Sequence, residues 1–598
     1  MTRLNVSLLG FPRIEREGNP VPQPKGKKAW ALLAYLLLSD GPRTRNHLAE
    51  LLFGGADDPL GALRWNLSQL RRVLNMPQAL RGHEPVLEVG PDVVVDVDVL
   101  TRGTWSEAAR IRGLGCELLE GMAFPADPVF ETWLTLERAR LQSVSKSVLR
   151  EASAACLGTR RPDMAADFAS RALALDQLDE SSHELLIRAL AAAGLQEKAT
   201  DALDRCVRIF REELHARPGE AVEAALKERP SSFAPSRGSA AARAQLELGR
   251  SAIKAGAVDA GIDGLRAALW AAEEEGDDRL VAEALFALAY ALVHSVRGRD
   301  GEASALLHRA LQLAERHGLQ DVAADSLREL GYVEMLVGSY DRALASLDRS
   351  LRTGGGGREG RAWTLAYQAI CYSDTGRYTK AHASLERCLE EAAGPEISHP
   401  RAYAFCLLGR LQMLRGELAD ARTSLERAIE IAAACGWTVF LPWPQALLAE
   451  VDLLSGATAA EVTDRLEHAL SVAEQIGDPC WEGAALHGLG LVAASSGRFD
   501  EAAARLETAS SVCVRFPDSY LWMKAYILDA LCDVATRNGS AETERWIGDL
   551  QNLAARTGMT EFLVRAHLYR ARGGDEHAAS LARLMSREVD NPALLSEL

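Results

Sequence analysis

The sequence predicts a mainly α protein with a small N-terminal α+β domain, an all-helical domain after it, and a long solenoid of two-helix units. Strand-like alternation is confined to the first hundred residues, helical periodicity follows to the end, and a glycine-containing turn recurs at a nearly constant interval. At 598 residues the chain is too long for one hydrophobic core, which agrees with several domains or a repeat array.

Charge is distributed unevenly along the chain. The formal net charge is −16 and the pI is near 5.4, which excludes attraction of the whole surface to nucleic acid or anionic lipid. Residues 1–82 nevertheless contain twelve Lys or Arg and six Asp or Glu, so the rest of the chain carries the acidic excess. A basic binding site is therefore expected in the N-terminal domain.

The cysteines and the apolar runs indicate a cellular compartment. Ten cysteines are scattered without a C-x-x-C pair, as is usual for reduced core thiols. The N-terminal MTRLNVSLLGFPRI has no cleavage signature, and no apolar run reaches the ~18 residues of a membrane span. We expect a protein of the bacterial cytoplasm that does not contact the membrane.

The N-terminal domain begins with short strands and continues with helices. LNVSLLG and FPRIER alternate and are separated by turn residues, which predicts short antiparallel strands. A helical pattern then runs from Lys27 to the stop signal Gly41-Pro42. A second helix fits 44–53, with Thr44 as its N-cap.

A third helix and a hairpin complete this domain. Asp58 is a suitable cap and Pro59 a suitable first residue for a helix over 59–75. VLEVGPDVVVDVDV at 86–99 is rich in β-branched residues and contains the turn sequence GPD, which predicts a β-hairpin.

Beyond about residue 100 the pattern is helical throughout. KERPSSFAPSRGS at 227–239 is rich in Pro, Ser and Gly, and it predicts an interdomain linker. After the linker, paired helices recur at intervals of 38, 40, 40 and 41 residues, with turns at Gly338, Gly376, Gly416, Gly456 and Gly497. One such unit cannot bury its apolar face alone, so the units are expected to stack into a solenoid that resembles tetratricopeptide repeats.

Motifs for catalysis are absent from the sequence. It contains no G-x-x-x-x-G-K-[ST], H-E-x-x-H or G-x-S-x-G, and its histidines do not cluster at metal-ligand spacing. GGGGREG at 354–360 has no following lysine and fits a loop between helices. We expect no enzymatic activity, no cofactor and no metal.

The third helix contains LGALRWNLSQLRRVL at 60–74 and has two distinct faces. At about 100° per residue, its leucines form one buried stripe. The residues on and beside the opposite face are Arg64, Trp65, Asn66, Ser68, Gln69, Arg71 and Arg72. An amphipathic helix with Arg and Gln toward solvent is what major-groove reading requires, although in an isolated helix an ordinary solvated face is the simpler interpretation.

The wider sequence resembles known families. The order of strands, three helices and hairpin resembles an OmpR-type winged helix-turn-helix, and PKGKKAWALLAYLLL, RNHLAELLF and ALRWNLSQLRRVL resemble the DNA-binding half of the antibiotic regulatory protein (SARP) family. ETWLTLERARLQSVSKSVLREAS and the helical sequence after it resemble the bacterial transcriptional activator domain. The implied regions are a winged-helix DNA-binding domain at 1–98, a helical activator domain at 99–228, a linker at 229–245 and a tetratricopeptide-like superhelix at 246–598.

The resemblance implies a recognition helix at 59–75, a wing at 86–96 and nine DNA-contacting residues. Those near the bases are Arg64, Trp65 and Gln69, and those near the sugar-phosphate backbone are Asn66, Ser68, Arg71, Arg72, Thr44 and Arg45. The wing sequence departs from the family pattern, because it has Glu88 and Asp92 where OmpR-type wings commonly offer an arginine to the minor groove.

The sequence therefore predicts a sequence-specific DNA-binding transcriptional regulator of the activator type. Expected partners are double-stranded promoter DNA, RNA polymerase, a second copy of the chain on DNA, and an unknown protein, peptide or small-molecule effector at the repeats. CGWTVFLPWP at 435–444 breaks the repeat pattern and is either the lining of an effector pocket or a structural plug. The alternative function is a protein-interaction scaffold of the tetratricopeptide type whose winged helix does not read DNA.

Overall fold

The N-terminal region folds as three helices beside a small sheet. The computed structural model describes residues 4–39, 43–90, 92–226, 238–296 and 298–598. The first elements are β1 (Leu4–Ser7), β2 (Arg13–Arg16), β3 (Asn19–Pro20), α1 (Lys27–Leu38), α2 (Arg45–Phe53), α3 (Pro59–Val73) and β4 (Val93–Val95). The sheet order is β3-β2-β1-β4, with β1 antiparallel to β2 and parallel to β4. The predicted N-terminal strands and three helices are confirmed, and the arrangement fits a winged helix.

The hairpin predicted at 86–99 is wrong. Residues 86–90 form no strand, and the turn predicted after them includes Pro91, which lies outside the described residues. The chain leaves β4 directly into α4 (Asp96–Arg102). The Asp96 carboxylate accepts hydrogen bonds from the backbone N–H groups of Leu8 and Leu9, each at 2.9 Å, so it ties the start of α4 to the end of β1. In the alternating sequence VDVDV, the first valine is therefore the last residue of the parallel strand β4, and the residues after it begin α4. Acidic residues are favoured at such a helix N-terminus.

The following region is helical and shares a core with the winged helix. Its elements after α4 are α5 (Trp105–Ala108), α6 (Pro128–Gly158), α7 (Pro162–Leu175), α8 (Glu180–Ala192), α9 (Gln196–Leu214) and α10 (Glu220–Ala224). One hydrophobic cluster contains buried residues from Leu4 in β1 to Ala189 in α8, including Phe130 and Trp133 of α6. The two sequence regions therefore bury their apolar faces against each other.

The remainder is a superhelix of paired helices, as predicted. Its elements are α11 (Ser239–Lys254), α12 (Val258–Glu275), α13 (Asp278–His294), α14 (Asp300–His317), α15 (Gln320–Leu336), α16 (Tyr340–Thr353), α17 (Gly357–Asp374), α18 (Tyr378–Glu391), α19 (Ser398–Leu414), α20 (Leu418–Ala434), α21 (Pro442–Leu454), α22 (Ala459–Ile476), α23 (Pro479–Ser495), α24 (Phe499–Val512), α25 (Leu521–Asn538), α26 (Thr543–Thr557), α27 (Thr560–Arg572), α28 (Glu576–Met585) and α29 (Pro592–Leu595), with 3₁₀ turns at Thr438–Phe440 and Ser586–Glu588. Most of the linker predicted at 229–245 lies outside the described residues, and α11 begins within its last part.

The recurring glycines make the turns between paired helices. Gly338, which joins α15 to α16, has φ +75°, a conformation that favours glycine over residues with a Cβ. A Cβ at this position would also collide with Thr557 of α26, about 220 residues later in the chain. The repeat turn is thus also a point of close contact between distant repeats.

Distant repeats meet because the superhelix returns on itself. The Gly298 N–H donates to Asp518 Oδ2 at 2.8 Å, which joins the turn before α14 to the loop before α25. Near the C-terminus, the Asp590 N–H donates to the Gly376 carbonyl at 3.0 Å, and Asn591 Nδ2 donates to the Leu414 carbonyl at 3.1 Å. These contacts close the concave interior along one side.

Helix α6 lies against the seam formed by this closure. It packs against α14 from the early repeats and against α26 from the late ones. Arg140 of α6 forms an ion pair with Asp341 of α16 at 2.8 Å, and Ser147 is hydrogen-bonded to Ser339 at 2.5 Å. Because α6 also contributes to the winged-helix core, it connects the N-terminal domain directly to the superhelix.

Within the described residues, no helix has both the length and the hydropathy required to cross a lipid bilayer.

Candidate nucleic-acid interface

Helix α3 is fixed by a capped start and a leucine stripe. Asp58 Oδ1 accepts a hydrogen bond from the Gly61 N–H at 2.8 Å, and Pro59 is the first helical residue, as predicted. Leu63, Leu67 and Leu70 are fully buried in the core that α3 shares with α1 and α2. This packing determines which face of α3 remains in water.

The exposed face of α3 combines two arginines with a tryptophan. Arg64, Trp65 and Arg72 are exposed, Trp65 to 55%, and Ser68 between them is half-buried. Arg64 Nη2 lies 3.4 Å from Asp58 Oδ2, but both side chains are 67% exposed, so this ion pair restrains Arg64 only weakly. We refer to Arg64, Trp65, Ser68 and Arg72 as the α3 face.

Two of the predicted contact residues on α3 are used by the fold instead. Asn66 is 6% exposed and donates from Nδ2 to the Ala62 carbonyl of its own helix, so the prediction that it lies at the edge of the exposed face is corrected. Gln69 is half-buried, and its Oε1 accepts a hydrogen bond from the Lys25 N–H at 2.8 Å. The buried arc of α3 is wider than its leucine stripe, because the residues before α1 cover this flank.

The predicted residues at the start of α2 also have local partners. Thr44 Oγ1 accepts from the His47 N–H at 3.3 Å, which confirms Thr44 as the N-cap. Arg45 donates from Nε to the Gly82 carbonyl at 2.6 Å and so holds the loop after α3 against α2. Arg71 is half-buried beside the α3 face. Arg45 acts here as a positioning residue for the loop.

Lys25 is a cation near α3 that sequence reasoning missed. It is exposed and lies next to Gln69, although 44 residues separate the two in the chain. Nothing in the local sequence PKGK indicates that Lys25 lies near α3. Only the packing of the segment before α1 against α3 brings its positive charge to this surface.

The winged helix is also anchored to the far C-terminal end of the chain. Arg43 forms an ion pair with Glu588 at 2.9 Å, and Tyr35 Oη lies 3.1 Å from His47 Nε2. Burial, together with the positive charges of Arg587 and Arg43, lowers the pKa of His47 to about 4. His47 is therefore neutral at physiological pH in a junction that contains two arginines.

We expect the junction at His47 to weaken in mild acid. The folded protein keeps His47 neutral down to about pH 4, whereas the unfolded chain takes up a proton near pH 6.5. The contribution of the neutral His47 ring to the free energy of unfolding is therefore full above pH 6.5 and is lost as the pH falls toward 4. Between pH 7.5 and 5, the parent should lose about 1 kcal/mol more unfolding free energy than His47→Gln, after allowance for the partial exposure of the ring.

Denaturant titrations at the two pH values measure this difference. His468→Gln, at an exposed histidine of α22, is the matched control and should follow the parent. Equal pH dependence of the parent and His47→Gln would contradict the assignment of this junction.

Family comparisons identify two parts of the chain. A family model of the bacterial transcriptional activator domain matches residues 96–228, and a tetratricopeptide repeat model matches residues 322–390. The first of these families is one of transcriptional regulators. The chain thus has the domains of a transcriptional regulator, and its activator domain is of the SARP type. None of the curated proteins matches the chain.

Three solved structures are similar to parts of the chain. EmbR of Mycobacterium tuberculosis in complex with a low-affinity phosphopeptide has 18% identity, covers 38% of this chain and 66% of its own, and gives a TM-score of 0.30. A Rap protein complexed with competence and sporulation factor has 12% identity and a TM-score of 0.38, and the match covers 60% of this chain and 89% of the Rap chain. A tetratricopeptide repeat protein from Parabacteroides merdae has 14% identity and a TM-score of 0.29, and the match covers 49% of this chain and 98% of the other.

Proposed function

We propose that this chain is a sequence-specific DNA-binding transcriptional activator that places α3 in the major groove. The observation that carries the proposal is the α3 face, where Arg64, Trp65 and Arg72 remain in water on a helix whose leucines are fully buried. Arginines are suited to phosphates and to guanine edges, and Trp65 offers a large apolar contact to a thymine methyl group. The activator domain at 96–228 supports the assignment to transcription.

The roles of the predicted contact residues are revised in this proposal. Arg64 and Trp65 approach bases, Ser68, Arg71 and Arg72 approach the sugar-phosphate backbone, and Thr44 contributes the N-terminus of α2. Lys25 joins them as a phosphate contact because it is exposed beside α3. Asn66, Gln69 and Arg45 support the surface from within the fold.

We further propose that the activator domain contacts RNA polymerase and that two copies of the chain bind a repeated promoter site. The second copy would compensate for the missing wing hairpin, because one α3 face offers only a few contacts to a single half-site. We also propose that the winged-helix domain ends at residue 98, the activator domain at residue 228 and the linker at residue 245. The superhelix would receive the effector.

DNA affinity and its salt dependence test the proposal. The full chain should select promoter fragments from fragmented DNA of its source genome, and the logarithm of its binding constant should fall linearly with the logarithm of salt concentration. Arg72→Ala should weaken binding to specific and non-specific duplexes alike, by about tenfold, and should lower the salt slope by about one. Arg243→Ala, at an exposed arginine of α11, is the matched control and should bind as the parent does.

Trp65→Ala separates base reading from phosphate binding. We expect it to reduce the ratio of specific to non-specific affinity while the salt slope stays unchanged, because the indole carries no charge. Fluorescence anisotropy with a selected duplex and a scrambled one measures that ratio. If neither Trp65→Ala nor Arg72→Ala changes binding, the α3 face does not contact DNA, and the interaction-scaffold function is favoured.

A further inference from the structure

The concave interior of the superhelix contains a cavity of about 740 Å³. This volume lies within the range of about 300–1,000 Å³ that is usual for small-molecule sites. Ten of its twenty-four lining residues are Phe, Tyr or Trp, whereas aromatic residues make up 6% of the chain. Such enrichment around an open volume is not expected from repeat packing alone.

The rings form a wall with consecutive contacts. Trp363 of α17 lies 5.3 Å from Tyr403 of α19 and 6.1 Å from Trp437, measured between ring centroids. Trp437 stacks on Phe440 at 4.2 Å and 12°, and Tyr403 contacts Trp443 at 5.6 Å. The segment 435–444 therefore supplies three rings to this wall. Its Phe440 and Trp443 are buried between repeats, as expected of a structural plug, and the segment also lines the cavity. That the cavity receives an effector stays a prediction.

Apolar side chains in this region are left in contact with solvent. Val439 is 50% exposed and Tyr290 is 41% exposed, and Trp363 and Trp437 are half-buried. A plug that served only to pack the repeats would have its apolar atoms covered. Exposed apolar surface inside a concave wall is characteristic of a ligand site.

The charges of the lining select against anions. Among the described lining residues, three carboxylates, those of Glu359, Asp478 and Asp518, accompany one lysine, Lys254. The lining His294 is already paired with the carboxylate of Glu329. Burial also lowers the pKa of the lining His399, so its ring is neutral near pH 7. The electron-rich faces of Trp and Tyr rings attract cations and accept flat rings by stacking.

The same wall is poorly suited to an extended peptide. A peptide backbone requires hydrogen-bond partners along its length. Asp478 already accepts hydrogen bonds from the Cys480 and Trp481 N–H groups, and Asp518 accepts one from Gly298. Ten of the other described lining residues carry Phe, Tyr or Trp rings, which favours a ligand that stacks.

We propose that the cavity walled by Trp363, Tyr403, Trp437 and Phe440 binds a flat, ring-containing small molecule that is neutral or cationic. This inference rests on the proposed function, and it assigns a chemical class to the effector that we expect at the repeats of the regulator. Its test involves no DNA, so its failure and the failure of the DNA-binding proposal can be told apart.

Two dyes with the same ring system provide the test. N-phenyl-1-naphthylamine is neutral, and 8-anilinonaphthalene-1-sulfonate adds one negative charge to the same skeleton. Fluorescence titration of the full chain should give one saturable site per chain for the neutral dye, with at least tenfold weaker binding of the sulfonate. Trp437→Ala should weaken binding of the neutral dye at least tenfold, whereas Trp270→Ala, at a partly exposed tryptophan of α12 outside the cavity, should not change it.

A second variant keeps the test independent of folding defects. Val439 is half exposed, so Val439→Arg should be tolerated and should bring a positive charge into the wall. We expect it to strengthen binding of the sulfonate dye relative to the neutral one by about tenfold. Absence of saturable binding or equal affinity of the parent for the two dyes would each overturn the proposal. So would unchanged affinity of Trp437→Ala for the neutral dye together with unchanged dye preference of Val439→Arg.

Discussion

Arg410→Met is expected to destabilise the superhelix by about 3–5 kcal/mol, the range for breaking a buried ion pair. Arg410 is 1% exposed and donates to Asp374 Oδ1 and to Tyr520 Oη, both at 2.8 Å. Its guanidinium carbon also lies 4.2 Å from the centroid of the Trp522 ring. The substitution keeps much of the side-chain volume but leaves the Asp374 carboxylate, which is fully buried, without a cation.

The partners of Arg410 explain why its effect should spread along the chain. Tyr340 Oη donates to Asp374 Oδ2 at 3.1 Å, and Tyr520 Oη donates to the same atom at 2.6 Å. Although burial opposes the charge, the pKa of Arg410 is raised because Tyr520 and Asp374 favour the protonated guanidinium. One cluster therefore joins α16, α17 and α19 to the start of α25 across the interior.

Urea titration followed by tryptophan fluorescence measures this loss of unfolding free energy. Arg427→Ala is the matched control, because Arg427 forms an exposed ion pair with Glu430 on the surface of α20, and it should change stability by less than ~0.5 kcal/mol. Adding Asp374→Asn to Arg410→Met should recover part of the loss, since it removes the unpaired charge. A loss below about 1 kcal/mol for Arg410→Met alone would contradict the proposed role of the cluster.

Arg342→Ala is expected to detach the segment around α4 from the superhelix, with a loss of about 3–5 kcal/mol. Arg342, on α16, is 4% exposed and donates from Nη1 to the carbonyls of Leu100 and Gly103, at 3.0 and 3.2 Å. It also forms an ion pair with Glu151 of α6. Its removal leaves two carbonyls and a largely buried carboxylate without their cation.

A second carboxylate increases the expected effect of Arg342→Ala. Burial, with the neighbouring charge of Glu151, raises the pKa of Glu334 to about 7 even with Arg342 present. Without the arginine, the pKa of Glu334 should rise further, because two charged carboxylates in a region shielded from water are unfavourable. Hydrogen exchange should accelerate in residues 96–103, and the unfolding midpoint should fall.

Arg352→Ala is the matched control for this experiment. Arg352 lies in the last turn of the same helix, α16, but is exposed. We expect exchange rates and the unfolding midpoint to remain at parental values. If Arg342→Ala likewise leaves exchange in residues 96–103 unchanged, the contact with α4 does not hold the two regions together.

The sequence was sufficient for the parts of the fold that depend on local patterns. Caps and periodicity predicted α1, α2 and α3, including Thr44 and Asp58 at two of the helix starts. The glycine spacing predicted the repeat turns, because each repeat contains the same two-helix unit. These features are determined by residues that are close in the chain.

Features that depend on distant partners were missed. Closure of the superhelix brings Gly298 to Asp518, and it results from small rotations accumulated over several repeats rather than from any one of them. The parallel pairing of β4 with β1 was likewise not visible in the valine run that suggested a hairpin.

At the candidate interface, the sequence predicted the exposure of Arg64, Trp65 and Arg72 from their angles around the helix. It misplaced Asn66, because helical angles cannot show how far neighbouring elements extend over each flank of α3. Lys25 was missed for the same reason, since its position depends on how the segment before α1 packs.

The position of α6 bears on how such regulators exchange parts in evolution. Tyr35 of α1 packs edge-on against Trp133 of α6 at 4.9 Å, and Phe130 and Leu134 of α6 are fully buried in the same cluster as the β1 residues. A recombination event that joined the first 98 residues to a foreign sequence would leave this apolar surface uncovered on both products. Residues of α7 and α8, as far as Ala189, belong to the same buried cluster. The smallest module that keeps the winged-helix core covered therefore extends through α8, and chimaeric regulators joined after that helix would keep this core intact.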